Sequence, residues 1–361
     1  MDFQDIPNAR LANQHISSVI SSGPVEVVRS LGALQAQAYK DALWAVGLRC
    51  KDTTQSEVED AIAKKRIIRT WSMRGTWHFV PPLEGKWMLS LYPDEPIPSY
   101  QRRNGLTDQI LERGLDTIHH AFEDNGQLTY REIGNILSKS GITELRKTEV
   151  QRHITRRAGR RGIICFSGYV GNQPAFRLLE KMVPKTDLHG RENSLAKFAR
   201  IYFESHGPAT LKDFVWWSGL RTSDARAGID AIKSNLKEVT LSDRTYWMPK
   251  RANPPSRDAS TVYLLPAFDE YIISYNDRSA VLEPKDAKKI INGSTLLFLP
   301  TVISDGKVVG TWKKSKDKNK VMVTLTPFRK LTKEQMTGIK ESANRYGDFL
   351  ESEVTLRFMM H

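Results

Sequence analysis

One pattern of apolar and polar positions occurs three times along the chain. In its clearest form, Thr210 stands three residues before an acid, Asp213, at the start of an apolar helical pattern. That spacing is typical of a capping box, so we predict a helix that ends at Gly219. A second helix follows from about Thr222, and two short alternating strands come after it. The segment therefore predicts helix, turn, helix and hairpin, which is the order of a winged helix.

The other two copies follow the same order with less regularity. The second has Thr129 three residues before Glu132, a second helix over about 148–158 and a hairpin that turns near Gly171. The first opens at Gly23-Pro24, continues with a helix near 56–64 and ends in the hairpin IIRTWSMRGTWHFV. The predicted buried stripe of the second copy consists of Val150, Ile154 and Ala158.

Proline-rich stretches and a change in pattern suggest the boundaries of these units. Prolines cluster at 93–98 and again at Pro184, and Pro254-Pro255 opens a region of β-rich runs. Those runs are TVYLLPAF, YIISY, STLLFLPTV and KVMVTLTPF, followed by a helix over 332–349 and a strand EVTLRFMM. We predict an α+β chain of tandem winged-helix units at 1–92, 93–185 and 186–250. A β-rich, barrel-like C-terminal domain is predicted at 251–361.

The charge balance indicates an acidic binding partner. Fifty-four Lys and Arg face 41 Asp and Glu, which gives a net charge of +13 and a pI near 9.6. Such an excess costs stability through self-repulsion, so an acidic partner, duplex DNA, is its natural explanation. The sequence holds no apolar run long enough for a membrane span and no secretory h-region, so we expect a cytoplasmic, nucleoid-associated protein. Cys50 and Cys165 lie in apolar runs and are expected to be buried, reduced thiols.

The strongest basic segment runs from Arg146 to Arg161, in the predicted second helix of the second copy. In a helix-turn-helix this helix enters the major groove, where its cations contact phosphates. The alternative is a basic helix face that is only solvated. The predicted phosphate contacts are Arg152, Arg156, Arg157, Arg160 and Arg161.

A second basic cluster follows Trp312 in a predicted loop. It is either a mobile tip that contacts phosphate or a solubilising loop, and the sequence favours neither. The cluster consists of Lys313, Lys314, Lys316, Lys318 and Lys320.

The hairpin of the first copy offers a more specific pattern. The strand period of two places Arg74, Thr76 and His78 on one polar face, opposite Trp77 and Phe79. That face is either an ordinary outer surface or one that directs a guanidinium and an imidazole at DNA.

Known catalytic motifs are missing from the sequence. It has no Walker loop, GxSxG, HExxH or closely spaced Cys/His set, and the adjacent His119 and His120 are not expected to face one ion. No metal site or cofactor is predicted. From these features alone, the chain would be a winged-helix transcriptional regulator without enzymatic activity, and this remains the alternative.

The motifs LGALQAQAYKDALWAVGLR, WSMRGTWHFV, LLPAFDEYIISYNDR and VVGTWKK appear in an order that resembles the AlkZ-like winged-helix DNA glycosylases. The resemblance implies tandem winged helices and a β-rich C-terminal domain around duplex DNA. It implies excision of N-alkylated purines, with unhooking of interstrand crosslinks in some members. The three tandem units in one chain favour a monomer, because three DNA-binding units need no palindromic half-sites. The family's Gln-apolar-Gln motif falls on Gln35-Ala36-Gln37 and would make Gln35 and Gln37 catalytic. The hairpin with Arg74 and His78 would be the DNA-inserting element.

Two glutamines suit the chemistry of a labile lesion. An amide does not accept a proton near neutral pH, but it can position a water for attack on the sugar. That suffices when the leaving purine is cationic and departs as a neutral base, without a lyase step. Residues two apart lie roughly 200° apart around a helix but on one side of an extended chain. If Gln35 and Gln37 serve one water, the backbone there should leave the helix, as Gly32 would permit.

Overall fold

The computed structural model describes residues 2–183, 190–241, 243–250, 262–292, 297–317 and 320–359. Helices and strands are mixed along the chain, which confirms the predicted α+β class. The chain divides into two compact units, one formed by Met1–Ala61 with Leu195–His361 and the other by Ile62–Ser194. The predicted boundaries at 92, 185 and 250 describe the chain on a finer scale and remain predictions. Of the predicted linkers, the one at Pro184 and the loop at Pro254 lie outside the described residues.

The N-terminal part of the chain is mainly helical. Trp44 of its third helix packs edge-on against Tyr346 and tilts against Phe349, with ring centroids 5.0 and 5.1 Å apart. Ile20 and Cys50 form an isolated parallel bridge, and Cys50 is buried and free, as predicted. The elements are α1 (Ile6–Asn13), α2 (Pro24–Leu31), β1 (Leu34–Gln35), α3 (Tyr39–Gly47) and α4 (Gln55–Ala63).

The unit Ile62–Ser194 contains an antiparallel sheet with helices packed around it. Its strands are ordered β3-β2-β5-β6-β4. The elements that lie wholly within it are β2 (Ile68–Met73), β3 (Thr76–Val80), α5 (Pro82–Ser90), α6 (Ser99–Arg103), α7 (Asp108–Asn125), β4 (Leu128–Thr129), α8 (Tyr130–Ser138), α9 (Thr148–Arg160), β5 (Ile164–Val170) and β6 (Gln173–Leu178).

Local signals account for the helices α8 and α9. Thr129 and Glu132 form the predicted capping box, in which the Glu132 carboxylate accepts from the Thr129 N–H at 2.7 Å. The stripe predicted on α9 is fully buried at Val150, Ile154 and Ala158. Gly159 lies against the Trp71 ring so closely that a β-carbon would collide with it.

The remaining elements begin with α10 (Arg191–His206). Here the capping box of Thr210 and Asp213 is present as predicted, and the two following strands pair in regular antiparallel register from Leu236–Pro249 to Leu241–Arg244. The elements are α11 (Leu211–Ser218), α12 (Thr222–Ile232), β7 (Leu236–Leu241), β8 (Arg244–Pro249), β9 (Val262–Leu265), α13 (Glu270–Ile273), β10 (Ile291–Asn292), β11 (Leu297–Phe298), β12 (Thr301–Ser304), β13 (Lys307–Asp317), β14 (Lys320–Pro327), α14 (Lys333–Leu350) and β15 (Val354–Phe358).

The C-terminal region contains a curled, half-barrel sheet ordered β15-β14-β13-β12-β9. All neighbours in it are antiparallel except β14 and β15, which run parallel. A two-residue turn at Asp305-Gly306 joins β12 to β13. The run YIISY was expected to be a strand, but its first three residues end helix α13, because Asp269 caps the helix by accepting from the N–H of Tyr271.

Candidate functional site

The segment that carries Gln35 and Gln37 is not helical, because Gln35 ends a short strand and Gln37 lies in a bend. Helix α2 ends at Gly32, whose φ of 72° lies in the left-handed region that glycine adopts readily. Strand β1 then covers Leu34–Gln35, and regular helix resumes only at Tyr39. The predicted departure from helix at the two glutamines is confirmed.

Burial alternates along this segment. Ala36 is fully buried, Gln35 is half-buried and Gln37 is exposed. Ala36 therefore packs into the interior, while the glutamines on either side of it keep exposed surface.

A buried carboxylate contacts the backbone of this segment. The N–H of Gln35 donates to Oε1 of Glu270 at 2.7 Å, and Glu270 is 1% exposed. Its Oε2 accepts from Nε1 of Trp217 at 3.1 Å and from the hydroxyl of Ser274. Nε2 of His206 lies 3.6 Å from the same oxygen. These donors offset the cost of burying a carboxylate, which is several kcal/mol when it is left unsatisfied.

His206 contributes to this cluster as a neutral ring. Burial lowers its pKa, and the neighbouring carboxylate of Glu270 only partly opposes that effect. The ring stacks on Tyr202 at 5.0 Å between centroids, and its Nδ1 lies 2.7 Å from the hydroxyl oxygen of Ser205. Near neutral pH the atoms that contact Glu270 are therefore polar donors and a neutral imidazole.

Asp269, the residue before Glu270, contacts Arg49, which lies just after the C-terminal end of α3. Both terminal nitrogens of Arg49 donate to the Asp269 carboxylate at 2.8 Å, and neither side chain has any exposed surface. Arg49 also donates to the side chain and carbonyl of Gln14. A buried bidentate pair with further hydrogen bonds is well satisfied. Adjacent acids thus contact the segment 35–49 near its two ends.

The hairpin of β2 and β3 differs from the polar face predicted for it. Its turn is Arg74-Gly75, with φ of 49° and 65°, as a two-residue hairpin of the primed type requires. Arg74 and Thr76 are half-buried, but His78 has no exposed surface, and its Nδ1 lies 3.0 Å from the carbonyl oxygen of Thr76.

Burial on both faces of β3 explains why the expected polar face failed here. The register shift between Thr70 and Met73 places the extra residue in β2, so β3 keeps its alternation, but its consecutive residues His78, Phe79 and Val80 are all buried. All six residues of β2 are buried. The expectation that His78 shares an outward face with Arg74 and Thr76 is therefore corrected, since the imidazole lies in the interior of its unit.

The arginines of α9 fall into two groups. Arg152 and Arg156 are exposed, and Arg156 donates to the carbonyl of Gly75 at 3.0 Å. Both remain accessible to a polyanion. Arg157 is only 3% exposed and pairs with Asp94 at 2.5 Å, so its charge is used inside the protein.

The linker that follows α5 supplies acids to the second group. Arg160 pairs with Glu95, and Arg161 pairs with both Asp94 and Glu112. Partial burial raises the pKa of Asp94, but the hydrogen bonds from Arg161 and Arg157 lower it overall. The charge of this end of α9 is thus partly neutralised by neighbouring acids.

The lysine cluster lies mainly on a hairpin rather than in a loop. Lys313 and Lys314 belong to strand β13, which pairs with β14. The residues before and after the two lysines continue the same strand pairing. Lys313 is exposed, whereas Nζ of Lys314 lies 3.2 Å from the Asp41 carboxylate. Lys316 and Lys320 also fall within the two strands, and Lys318 lies outside the described residues.

Helix α7 carries a small group of residues of metal-ligating type. Within the described ranges, the ligand atoms of His119, His120 and Glu123 lie within 4.8 Å of one another, so the two adjacent histidines approach one point more closely than expected. His120 and Glu123 are exposed there.

No helix in the described part of the chain combines the length and apolar character needed to cross a membrane.

Sequence reasoning did not assign roles to Asp269, Glu270 or Arg49. The available signal is a pair of adjacent acids inside the apolar run LLPAFDEYIISY. Charged residues in such a run are rarely buried without partners, so the run could have indicated a buried ion pair. It could not have identified the partner Arg49, which lies 220 residues away.

Comparison with solved structures identifies the fold. The structure matches the Streptomyces sahachiroi DNA glycosylase AlkZ with a TM-score of 0.83, at 21% identity, over 99% of this chain and 100% of that chain. The fold is therefore that of a DNA glycosylase of known structure.

The sequence comparisons identify the family. A curated interstrand DNA cross-link repair glycosylase from Streptomyces sahachiroi is 24% identical over 323 residues, which cover 84% of this chain and 85% of that protein. The family model described as DNA glycosylase AlkZ-like matches residues 28–349. The chain belongs to the AlkZ-like DNA glycosylase family.

Proposed function

We propose that this protein hydrolyses the N-glycosidic bond of cationic N-alkylated purines in duplex DNA. The observation that carries the proposal is the non-helical segment from Gln35 to Gln37, in which a buried Ala36 separates two glutamines that keep exposed surface. Family membership supplies the reaction class, and the segment supplies two amides that can act on one water.

The two amides would orient and polarise the attacking water. Positive charge develops on the sugar as the base departs, so a correctly placed water needs little activation. A purine alkylated at N7 or N3 leaves as a neutral molecule, and this removes the need for a strong general acid. Water as the nucleophile leaves an abasic sugar without a covalent enzyme intermediate, so we propose a monofunctional hydrolase.

DNA would be held by the helix–helix–hairpin segments acting as winged helices. The exposed Arg152 and Arg156 on α9 are the best placed arginines for phosphate, because Arg157 is buried and paired. The exposed Lys313 on β13 is a further phosphate contact in this proposal.

The relative from Streptomyces sahachiroi is named for interstrand cross-link repair. A crosslink between N7-alkylated purines presents the same cationic leaving group at each attachment point. Hydrolysis at one of them would unhook the strands by the reaction proposed for single lesions.

The test is a single-turnover assay on duplexes that carry N7-methylguanine, N3-methyladenine or an N7-linked crosslink, with detection of abasic sites. Gln37→Ala should lower the cleavage rate by about 10²–10³-fold, the usual cost of removing one preorganised polar group, and change the DNA Kd less than about twofold. Gln109→Ala, at an exposed position on α7, is the matched control and should leave the rate unchanged.

Two results would contradict the proposal in different ways. No release above background on any lesion would remove the enzymatic function and favour the regulator. Release that survives both Gln35→Ala and Gln37→Ala would keep the glycosylase but reject the role given to the glutamines.

A further inference from the structure

We infer that Glu270 is a positioning residue for the proposed reaction, acting through the backbone of Gln35. This inference rests on the proposed function. The carboxylate contacts the main chain of the segment that carries the two glutamines, rather than an amide side chain. It would therefore set where those amides lie without taking part in the chemistry.

The carboxylate is fixed by its own partners. Nε1 of Trp217 and the hydroxyl of Ser274 both donate to Oε2, and all three side chains are buried. Rotation of the carboxyl group would break those hydrogen bonds inside a low-dielectric interior, where an unsatisfied polar group is costly. Oε1 is thereby held toward the N–H of Gln35 at 2.7 Å.

Strand β1 needs such external support because it contains only Leu34–Gln35. A strand of two residues has little stability of its own, and Ala36, which follows it, is not in regular structure. Displacement of a catalytic group by about 1 Å can cost roughly 10²-fold in rate. The hydrogen bond from Gln35 to Glu270 is one of the tertiary contacts that can supply this accuracy.

Two neighbouring contacts fix the chain that follows. Nε1 of Trp44 donates to the carbonyl of Leu264 at 2.8 Å, and Arg49 pairs with Asp269 at 2.8 Å. Residues 264–270 thus contact the segment 35–49 at its start, middle and end. Of these contacts, that of Glu270 lies at the glutamine motif itself.

The experiment compares three variants of the full-length protein. Glu270→Ala removes the acceptor for the N–H of Gln35. Glu270→Gln keeps an oxygen for that N–H but places its NH2 group, a donor, against the N–H of Trp217. Asp286→Ala is the matched control, because it removes another buried carboxylate, one that accepts from Arg329 at 2.9 Å. The rate is measured in single turnover at saturating DNA, and the DNA Kd and the melting temperature are measured separately.

Glu270→Ala should lower the single-turnover rate by about 10²-fold and leave the DNA Kd within about twofold. Glu270→Gln should recover the rate to within about tenfold of the wild type, although its melting temperature falls as much as that of the alanine variant. In hydrogen–deuterium exchange of the free protein, the amide of Gln35 should exchange at least tenfold faster in Glu270→Ala than in Asp286→Ala.

The failures are distinguishable. A wild-type protein that cleaves no lesion would overturn the proposed function and this inference with it. Cleavage by the wild type together with a rate and an exchange profile of Glu270→Ala equal to those of Asp286→Ala would overturn the inference alone. Equal rates of Glu270→Ala and Glu270→Gln would also overturn it, because the conservative variant would then show no rescue.

Discussion

Two segments of the chain pass through the same elements, one from Thr129 to Leu178 and the other from Thr210 to Pro249. Each starts with a threonine whose hydroxyl accepts from an N–H three residues on, at 3.3 Å in the first and 3.2 Å in the second. Each has a second helix with a buried apolar stripe and closes with an antiparallel hairpin. Their internal construction is the same.

Their exposed surfaces differ. Helix α9 exposes Arg152 and Arg156, whereas α12 exposes Arg226 four residues before Asp230 and has a nearly balanced charge. The capping acids differ as well, because Glu132 is exposed while Asp213 is buried and accepts from the N–H of Asn276 at 2.9 Å. The same pattern of helix caps and buried apolar residues therefore specifies the fold of both segments. The exposed residues outside that pattern determine whether a segment can bind a polyanion.

The largest test of this comparison concerns DNA affinity. Arg152→Ala with Arg156→Ala should weaken DNA binding about tenfold and reduce the slope of log K against log salt by about 2, because two phosphates would no longer be neutralised. The matched control is Arg221→Ala with Arg226→Ala, two exposed arginines of the second segment. Binding titrations at several salt concentrations measure both. Equal reductions in affinity in the two double variants would contradict the functional difference between the segments.

A smaller effect should follow from the acids that neutralise α9. Asp94→Asn removes a partner of Arg157 and Arg161, so the local positive charge rises and DNA binding should tighten roughly threefold at low salt. The melting temperature should fall, because buried Arg157 is left without a charged partner. Asp124→Asn makes the same charge change at an exposed site on α7. Equal affinity increases in both variants would show that only net charge matters.

The smallest effect is a pH dependence specific to the first segment. Burial, with help from Arg157 and Arg156, lowers the pKa of His153 to about 4. The unfolded chain binds this proton near the ordinary value of 6.5, so stability falls as the pH drops from 6.5 toward 4. His153→Gln should reduce the fall in melting temperature between pH 7 and pH 5. An unchanged fall in that variant would assign the effect to other groups, among them His206.

The features that could be predicted from the sequence are those encoded within a few residues. The capping boxes at Thr129 and Thr210 and the stripe at Val150, Ile154 and Ala158 are set by spacing alone, and all are present. The non-helical backbone at the glutamines was also predictable, because it followed from what two amides must do to meet at one water.

The features that were missed depend on partners distant in the chain or on burial in the folded structure. The burial of Arg157 follows from Asp94, which lies 63 residues earlier in the chain. The burial of His78 reflects cover on both faces of β3, where Phe79 and Val80 are buried as well, and alternation alone does not predict that cover. The sequence predicts a loop at Lys313 and Lys314, because the run of charges hides the alternation of apolar and polar residues that is typical of a strand. In the structure both lysines lie in β13, which pairs with β14.

The adjacency of Asp269 and Glu270 limits how this protein can change in length. One peptide bond separates the acceptor for Gln35 from the acceptor for Arg49. An inserted or deleted residue between Leu264 and Asp269 would move both acids out of register, while the contact of Leu264 with Trp44 stayed in place. We therefore expect this stretch to be as intolerant of insertions as a helix interior, although it includes the irregular backbone in which proteins usually accept them.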